Sequence, residues 1–120
     1  MIELNYRDGR PIYVQIREGI RRLILTGALR EGDRLPSVRE LSQQLAINPN
    51  TVARAYRELE TEGCVNTVAA KGVFVAAPQP AREIRLAELR ANLRAAVTEL
   101  LTLGLTAEEI QKETEACLYA

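Results

Sequence analysis

In the first half of the chain, hydrophobic residues recur mostly every three or four positions, which predicts three short α-helices. The first helix is predicted to begin at Pro11 and to end at Gly27. Its inner stripe has five aliphatic positions: Ile12, Ile16, Ile20, Leu23 and Ile24. Three cationic residues, Arg17, Arg21 and Arg22, are predicted to lie on or near the outside of this helix, mainly as a solvated face.

The second helix is predicted to begin at Ser37, because Ser37 and Glu40 have the spacing of a capping box. Its inner positions are Val38, Leu41 and Leu45. It must end before Pro49, because a residue that precedes proline is pushed out of helical geometry. Asn48 then caps a third helix, and Pro49 takes its first position, where a missing amide hydrogen costs nothing.

The third helix has an inner stripe of four residues: Val52, Ala55, Tyr56 and Leu59. Its outer face carries Asn50, Thr51, Arg54 and Arg57. Gly63 is predicted to end it as a left-handed cap, with Cys64 packing back on Leu59. Two short helices joined by a tight turn are typical of a helix-turn-helix, in which the second helix reads DNA.

After Gly63 the hydrophobic period changes to two, which predicts a β-hairpin. Its strands are residues 65–68 and 73–75, and its turn is residues 69–72. A hairpin directly after a recognition helix is a wing. Lys71, beside Gly72 at the tip, is placed to reach a phosphate or the minor groove; the alternative is an ordinary loop lysine. Arg34 and Leu35 are predicted to form a short extended piece before the second helix.

Charge along the third helix indicates which end meets a partner. No carboxylate occurs from Asn48 to Arg57, whereas the far end carries Glu58, Glu60 and Glu62. Helix N-termini attract anions through free amides and the helix dipole, so this end would accept phosphates. The alternative is that the outer residues are only the polar face of an amphipathic helix, with its caps and turn residues.

Beyond the wing, a second helical pattern runs from Pro80 to Leu103 and stops at Gly104. One seam of it is apolar: Leu86, Leu89, Leu93, Ala96 and Leu100. Thr106 and Glu109 form another capping box, so a further helix should start at Ala107. Because the three-helix core does not claim this seam, we expect it to make a dimer with a second copy of the chain. The alternative is that this helix folds back on its own winged domain.

Composition narrows the function. The chain has 120 residues, is 47% hydrophobic and has a net charge of zero, so nucleic-acid affinity must come from a local patch. The two cysteines, Cys64 and Cys117, lack metal spacing and are predicted to be buried thiols. With no histidine and no phosphate-binding loop, we expect no catalysis, cofactor or metal. No leader pattern or long apolar run occurs, which predicts a cytoplasmic protein that does not enter the membrane.

Five segments together resemble the winged helix-turn-helix of the GntR family of transcription regulators: PIYVQI, TGALREGDRLPS, LPSVRELSQQL, NPNTVARAYRELETEG and KGVFV. The short two-helix tail is similar to the YtrA-like subfamily, in which such a tail implies dimerisation. The resemblance implies a mainly α fold with a small β-wing. The expected domains are residues 1–77, which bind DNA, and residues 78–120, which form a helical dimerisation tail.

The same resemblance implies which residues contact DNA: Arg39, Asn48, Pro49, Asn50, Thr51, Lys71 and Gly72. The charge pattern adds Arg54 as a phosphate contact, and the dimer seam is Leu86, Leu89, Leu93 and Leu100. The wing departs from the family, since Ala70 and Val73 stand where the family usually has glycine and threonine. Ala70 must then avoid a positive φ or be strained.

The sequence therefore predicts a sequence-specific DNA-binding transcription regulator, a repressor that binds an inverted-repeat operator as a homodimer. The alternative is a winged-helix protein-interaction module with no DNA role, although such a module should tolerate acids at the tip of the third helix, and none is present. A nonspecific chromosome-architecture protein is disfavoured by the zero net charge. The effector is unknown, and we expect no tight ligand site within one subunit.

Overall fold

The computed structural model describes residues 2–120. It contains these elements in chain order: α1 (Ile12–Leu25), α2 (Val38–Leu45), α3 (Pro49–Thr61), β1 (Val65–Val68), β2 (Gly72–Val75), α4 (Gln79–Thr102) and α5 (Ala107–Leu118). The predicted fold, mainly α with a small β-wing and two tail helices, is confirmed. The chain divides into two compact units, the first ending at Glu83 and the second being Ile84–Ala120.

The first unit is built on a core between α1, α2 and α3. The side chains that fill it are almost completely buried: Ile16, Ile20, Ile24, Leu35, Leu41, Val52, Ala55, Tyr56, Leu59, Cys64, Val65 and Val75. Each large aliphatic side chain in such a core contributes about 1.5–3 kcal/mol through its removal from water. The helical stripes therefore lie inward as predicted, although Ile12, Leu23, Val38 and Leu45 at their margins are only half-buried.

One prediction about α1 is wrong. Arg21 was expected on or near the outside, but it is only 5% exposed. Its Nε lies 3.6 Å from Glu62 Oε2, at the end of α3. The charged head is tolerated inside because a carboxylate from another helix lies beside it.

The wing is an antiparallel pair in which Val65 faces Val75 and Val68 faces Gly72. A third segment, Gly32 to Leu35, lies along the other edge of β2. Leu35 N donates to Val73 O at 2.8 Å, and Val75 N donates to Asp33 O at 2.8 Å. The short extended piece predicted before α2 is therefore the third strand-like member of the wing sheet.

The second unit consists of most of α4 together with α5. Gly104, at φ +99°, separates the two helices, and Thr106 forms the predicted capping box with Glu109. Among residues 84–120, Ile110 is the only buried side chain. Cys117 is exposed, so the prediction that both cysteines are buried is right for Cys64 and wrong for Cys117.

Over residues 2–120, no helix is both long enough and apolar enough to cross a membrane.

Candidate nucleic-acid interface

The front end of α3 is fixed by Asn48. Its side-chain Oδ1 accepts a hydrogen bond from Asn50 N at 2.8 Å, and its carbonyl accepts one from Thr51 N at 3.0 Å. Asn48 therefore caps the helix as predicted. Pro49 and Asn50 are exposed at this tip and Thr51 is half-buried, so the predicted contact residues share the first turn of α3.

The start of α2 is fixed by the predicted capping box. Ser37 Oγ accepts from Glu40 N at 3.0 Å, and Glu40 Oε1 accepts from Ser37 N at 3.2 Å. Hydrogen bonds from the Ser37 backbone and hydroxyl lower the pKa of the Glu40 carboxyl. Glu40 is thus held against the backbone of the first turn, and Arg39 beside it is exposed.

The turn between α2 and α3 has a feature that the sequence did not indicate. Ala46 ends α2 in the left-handed conformation, with φ 54° and ψ 48°, a role usually taken by glycine. Tyr56 on α3 then donates its hydroxyl to Pro36 O at 2.7 Å, just before α2. This bond and the shared core fix the angle between the two helices, which a helix-turn-helix needs in order to place its second helix in a groove.

The acids at the far end of α3 face partners inside the protein. Glu58 pairs with Arg17 on α1, and Glu62 lies 3.8 Å from Arg17 and 3.6 Å from Arg21. Burial acts to raise the pKa of the Glu58 carboxyl, but the hydrogen bond and charge of Arg17 outweigh it and lower that pKa. These carboxylates therefore hold α3 on α1, and the front of α3 keeps no acid of its own.

Arg54 lies between the two ends of α3. Its guanidinium stacks on the ring of Tyr13, 3.7 Å from the centroid, and its Nη2 donates to the Tyr13 hydroxyl at 3.0 Å. Arg54 Nε also lies 3.4 Å from Glu58 Oε2. The side chain is nevertheless 55% exposed, so it is held in one orientation while part of it stays open to solvent. Sequence reasoning found Arg54 but missed Tyr13, which follows Pro11 and Ile12 with no pattern of its own.

The tip of the wing carries Lys71, which is exposed in the turn between β1 and β2. Ala70 does adopt a positive φ of 65°, so it is strained rather than relieved. Gly72 has φ +126°, and a Cβ built on it would lie 2.9 Å from Arg34 Nε. Arg34 therefore lies directly over the wing backbone, and sequence reasoning assigned it no functional role.

Among residues 2–120, no group of three or more histidine, cysteine or acidic side chains could hold a metal ion. An open groove of about 500 Å³ lies along α1, between Ile2 and Leu23. Arg10, which lines this groove, pairs with both Asp8 and Glu18.

Residues 12–75, more than half of the chain, match the family described as "Bacterial regulatory proteins, gntR family". The chain belongs to the gntR family. The match covers α1, the helix-turn-helix and the wing, which are the segments that carried the resemblance. The chain is thus a DNA-binding transcription regulator of the winged helix-turn-helix type, and it is not an enzyme.

Two curated relatives extend this likeness. The HTH-type transcriptional repressor YtrA of Bacillus subtilis (strain 168) is 45% identical over 75 residues, which span 62% of this chain and 58% of that protein. The HTH-type transcriptional regulator YhcF of the same organism is 38% identical over 106 residues, 88% of each chain. The second alignment extends through most of the tail, which supports a YtrA-like architecture.

Solved structures agree with this assignment. A transcriptional regulator from Oenococcus oeni superposes with a TM-score of 0.86 at 35% identity, over 96% of this chain and 97% of that one. The DNA-binding domain of AraR, in complex with operator ORE1, superposes with a TM-score of 0.54 at 29% identity, over 63% of this chain and 93% of that one.

Proposed function

We propose that the chain represses transcription in the cytoplasm by binding an inverted-repeat operator as a homodimer. In this proposal the first turns of α2 and α3 read base edges, the wing and Arg54 hold phosphates, and the tail joins two copies. The operator complexes of AraR support binding to operator DNA through this unit, because the DNA-binding domain of AraR has the same fold.

The observation that carries the proposal is the charge asymmetry of α3. Glu58 and Glu62 are engaged with arginines of α1, and Glu60 accepts a hydrogen bond from Thr67 at 3.1 Å. The exposed front end offers only neutral and cationic side chains, at the positive end of the helix dipole. The phosphates of a DNA groove are repelled by the carboxylate-rich far end of α3 and attracted by its acid-free front end.

The proposed contacts divide by chemistry. Asn50, Thr51 and Arg39 lie at the exposed starts of the two helices, where amide, hydroxyl and guanidinium groups suit base edges. The remaining proposed contacts position the backbone of the DNA: Asn48, Pro49, Arg54, Lys71 and Gly72. For Arg54, the Tyr13 ring and hydroxyl fix the guanidinium before DNA arrives, so less side-chain entropy is lost on binding.

The proposed dimer uses the seam of α4. Leu89 is 46% exposed and Leu93 is 58% exposed, while Leu86 and Leu100 are half-buried. A row of leucines left this open on one helix is typical of an interface. An identical subunit is the commonest partner and produces a two-fold axis, hence an operator with two inverted half-sites.

The base-reading assignment is tested by in vitro selection of duplexes with the full chain, followed by fluorescence anisotropy on the selected duplex. Arg39→Ala should cost about 1–3 kcal/mol on that duplex and blur the preference at one position of each half-site. Lys71→Ala should weaken selected and scrambled duplexes alike and flatten the salt dependence by about one unit per subunit.

Two outcomes would contradict these assignments. If the Arg39→Ala chain selects an unchanged sequence pattern, Arg39 does not read a base. If the unaltered chain selects no sequence and binds no duplex at low salt, the fold has been reused as a protein-interaction module and the proposed function is wrong.

A further inference from the structure

Arg34 occupies a position between two of the proposed DNA-binding elements. Its backbone forms an antiparallel bridge with Phe74 of β2, and its side chain lies over Gly72 at the base of the wing turn. Three residues later, Ser37 caps α2. Arg34 therefore connects the wing to the first turn of the helix-turn-helix by a very short path.

The wing backbone leaves room for this arginine. A Cβ on Gly72 would lie 2.9 Å from Arg34 Nε, which is closer than side chains tolerate, while its distance of 3.7 Å from Arg34 Cγ and Cδ is an ordinary contact. The glycine thus allows the guanidinium end of Arg34 to lie against the turn that carries Lys71. The two cations are held on adjacent parts of one wing.

The charge of Arg34 is also uncommitted. Arg17, Arg21 and Arg54 each form an ion pair with a glutamate of α3 or its C-terminal end. Within residues 2–120, Arg34 forms no ion pair. Its side chain is exposed. The charge of Arg34 helps to lower the pKa of the Glu40 carboxyl, although hydrogen bonds from Ser37 lower it more.

We propose that Arg34 is a further DNA contact, which binds a backbone phosphate between the wing and the start of α2. Arginine suits this position because its planar guanidinium donates two parallel hydrogen bonds to phosphate oxygens. With Lys71 and the α2 terminus on either side, Arg34 makes the wing and the helix-turn-helix one continuous phosphate-binding surface. This inference rests on the proposed DNA-binding function.

The test compares Arg34→Gln with the unaltered full chain on two 30-base-pair duplexes, one obtained by in vitro selection and one scrambled. Loss of one phosphate contact per subunit should weaken binding to both duplexes by about fivefold to tenfold per subunit at 0.1 M salt. It should flatten the slope of log K against log salt by about 0.9 per subunit. Arg34→Lys should keep most of the slope, since it keeps the charge.

Two further variants separate this role from a structural one. Arg94→Gln removes the same charge from an exposed position in the second unit and should leave the slope unchanged. Gly72→Ala should both strain the wing turn, because Gly72 has φ +126°, and displace the Arg34 side chain. Because only the unaltered chain has that side chain to displace, the substitution should weaken its binding more than that of the Arg34→Gln chain. Thermal unfolding of each variant, measured without DNA, corrects for any loss of folded protein.

The outcomes distinguish the inference from the function on which it rests. If the unaltered chain binds and Arg34→Gln matches it in affinity and slope, the inference is wrong and the proposed function stands. A weaker Arg34→Gln chain with an unchanged slope also overturns it, because Arg34 would then act only on the shape of the wing. If the unaltered chain binds neither duplex, both are wrong.

Discussion

The first unit and the second unit treat their apolar side chains in opposite ways. In the first unit the large aliphatic residues of α1 and α3 are almost fully covered, with Ile16, Ile20 and Leu59 at 0% exposure. In the second unit Leu93 is 58% exposed and Leu101 is 51% exposed, and Ile110 alone is buried among residues 84–120. The winged unit encloses its own apolar core, whereas the tail leaves apolar side chains exposed.

This difference separates the residues that stabilise the fold from those that are proposed to form the dimer. Stability depends on the surfaces where the helices of the first unit meet, and the proposed dimer uses the exposed surface of the second unit. Substitutions in the first unit should therefore act on folding at any protein concentration, while substitutions in the α4 seam should act through concentration.

The largest expected effect comes from placing a charge in the seam. Leu93→Glu should raise the dissociation constant of the proposed dimer by about 1,000-fold, because a buried, unpaired carboxylate costs several kcal/mol. The chain should stay folded, since Leu93 packs little in the single chain. Sedimentation velocity across a range of concentrations, with circular dichroism to confirm folding, measures both.

Ala91→Glu is the matched control, because Ala91 is exposed on roughly the opposite face of α4 from Leu89 and Leu93. It should leave the dimer unchanged. A Leu93→Glu chain that still sediments as a dimer, or one that unfolds, would show that the seam does not form the interface.

The next effect concerns the two cysteines, one in each unit. Cys64 is buried, and that burial, with the nearby Glu62 carboxylate, raises the pKa of its thiol to about 11, while Cys117 is exposed. In the Leu93→Glu chain at pH 8, a thiol reagent should modify Cys117 at least about 100-fold faster than Cys64, since the buried thiol reacts only through opening. Mass spectrometry of timed samples measures both rates.

A Cys117→Ser chain provides the control, because its single remaining thiol should then react slowly until urea unfolds the protein. Equal rates at the two sites in the native state would mean that the winged unit opens far more easily than its packing indicates. The raised pKa also predicts a sign with pH: stability is full below the ordinary thiol value of 9.0 and falls as pH rises toward 11.

The smallest effect is at the wing turn. Ala70 has φ 65°, where an L side chain is strained and glycine is not, so Ala70→Gly should stabilise the first unit by roughly 0.5–1 kcal/mol. We expect a rise of about 2–5 °C in the melting temperature by calorimetry. Ala69→Gly, next in the same turn but without a positive φ, should not stabilise the chain. A lower melting temperature for the Ala70→Gly chain would show that Ala70 is not strained in this turn.

Most of the helical architecture could be predicted because its signals are local. Ser37 with Glu40, Asn48 with Pro49, and Thr106 with Glu109 fix helix starts within four residues of chain, and the structure contains each of these caps. The wing could likewise be predicted, because the hydrophobic period changes to two after Gly63.

What sequence reasoning missed depends on residues that are distant along the chain. Arg21 is buried because Glu62 comes to it from another helix, and Tyr13 matters because Arg54 stacks on it. The left-handed conformation at position 46 could not be predicted, because the residue there is alanine and not the glycine that usually adopts it. The proposed contact residues Arg39, Asn50, Thr51 and Lys71 came from charge pattern and family resemblance, and their roles in binding stay predictions.

The pairing of Arg34 with Phe74 also sets the order in which the molecule can form. These residues are about 40 positions apart, and closing so long a loop costs more entropy than forming the local turns of α2 and α3. Proteins rich in contacts between distant residues generally fold more slowly than proteins rich in local contacts. A ribosome must therefore release the chain through β2 before the segment from Gly32 to Leu35 can pair with the wing. The newly made helix-turn-helix thus exists, for a time, without its completed wing.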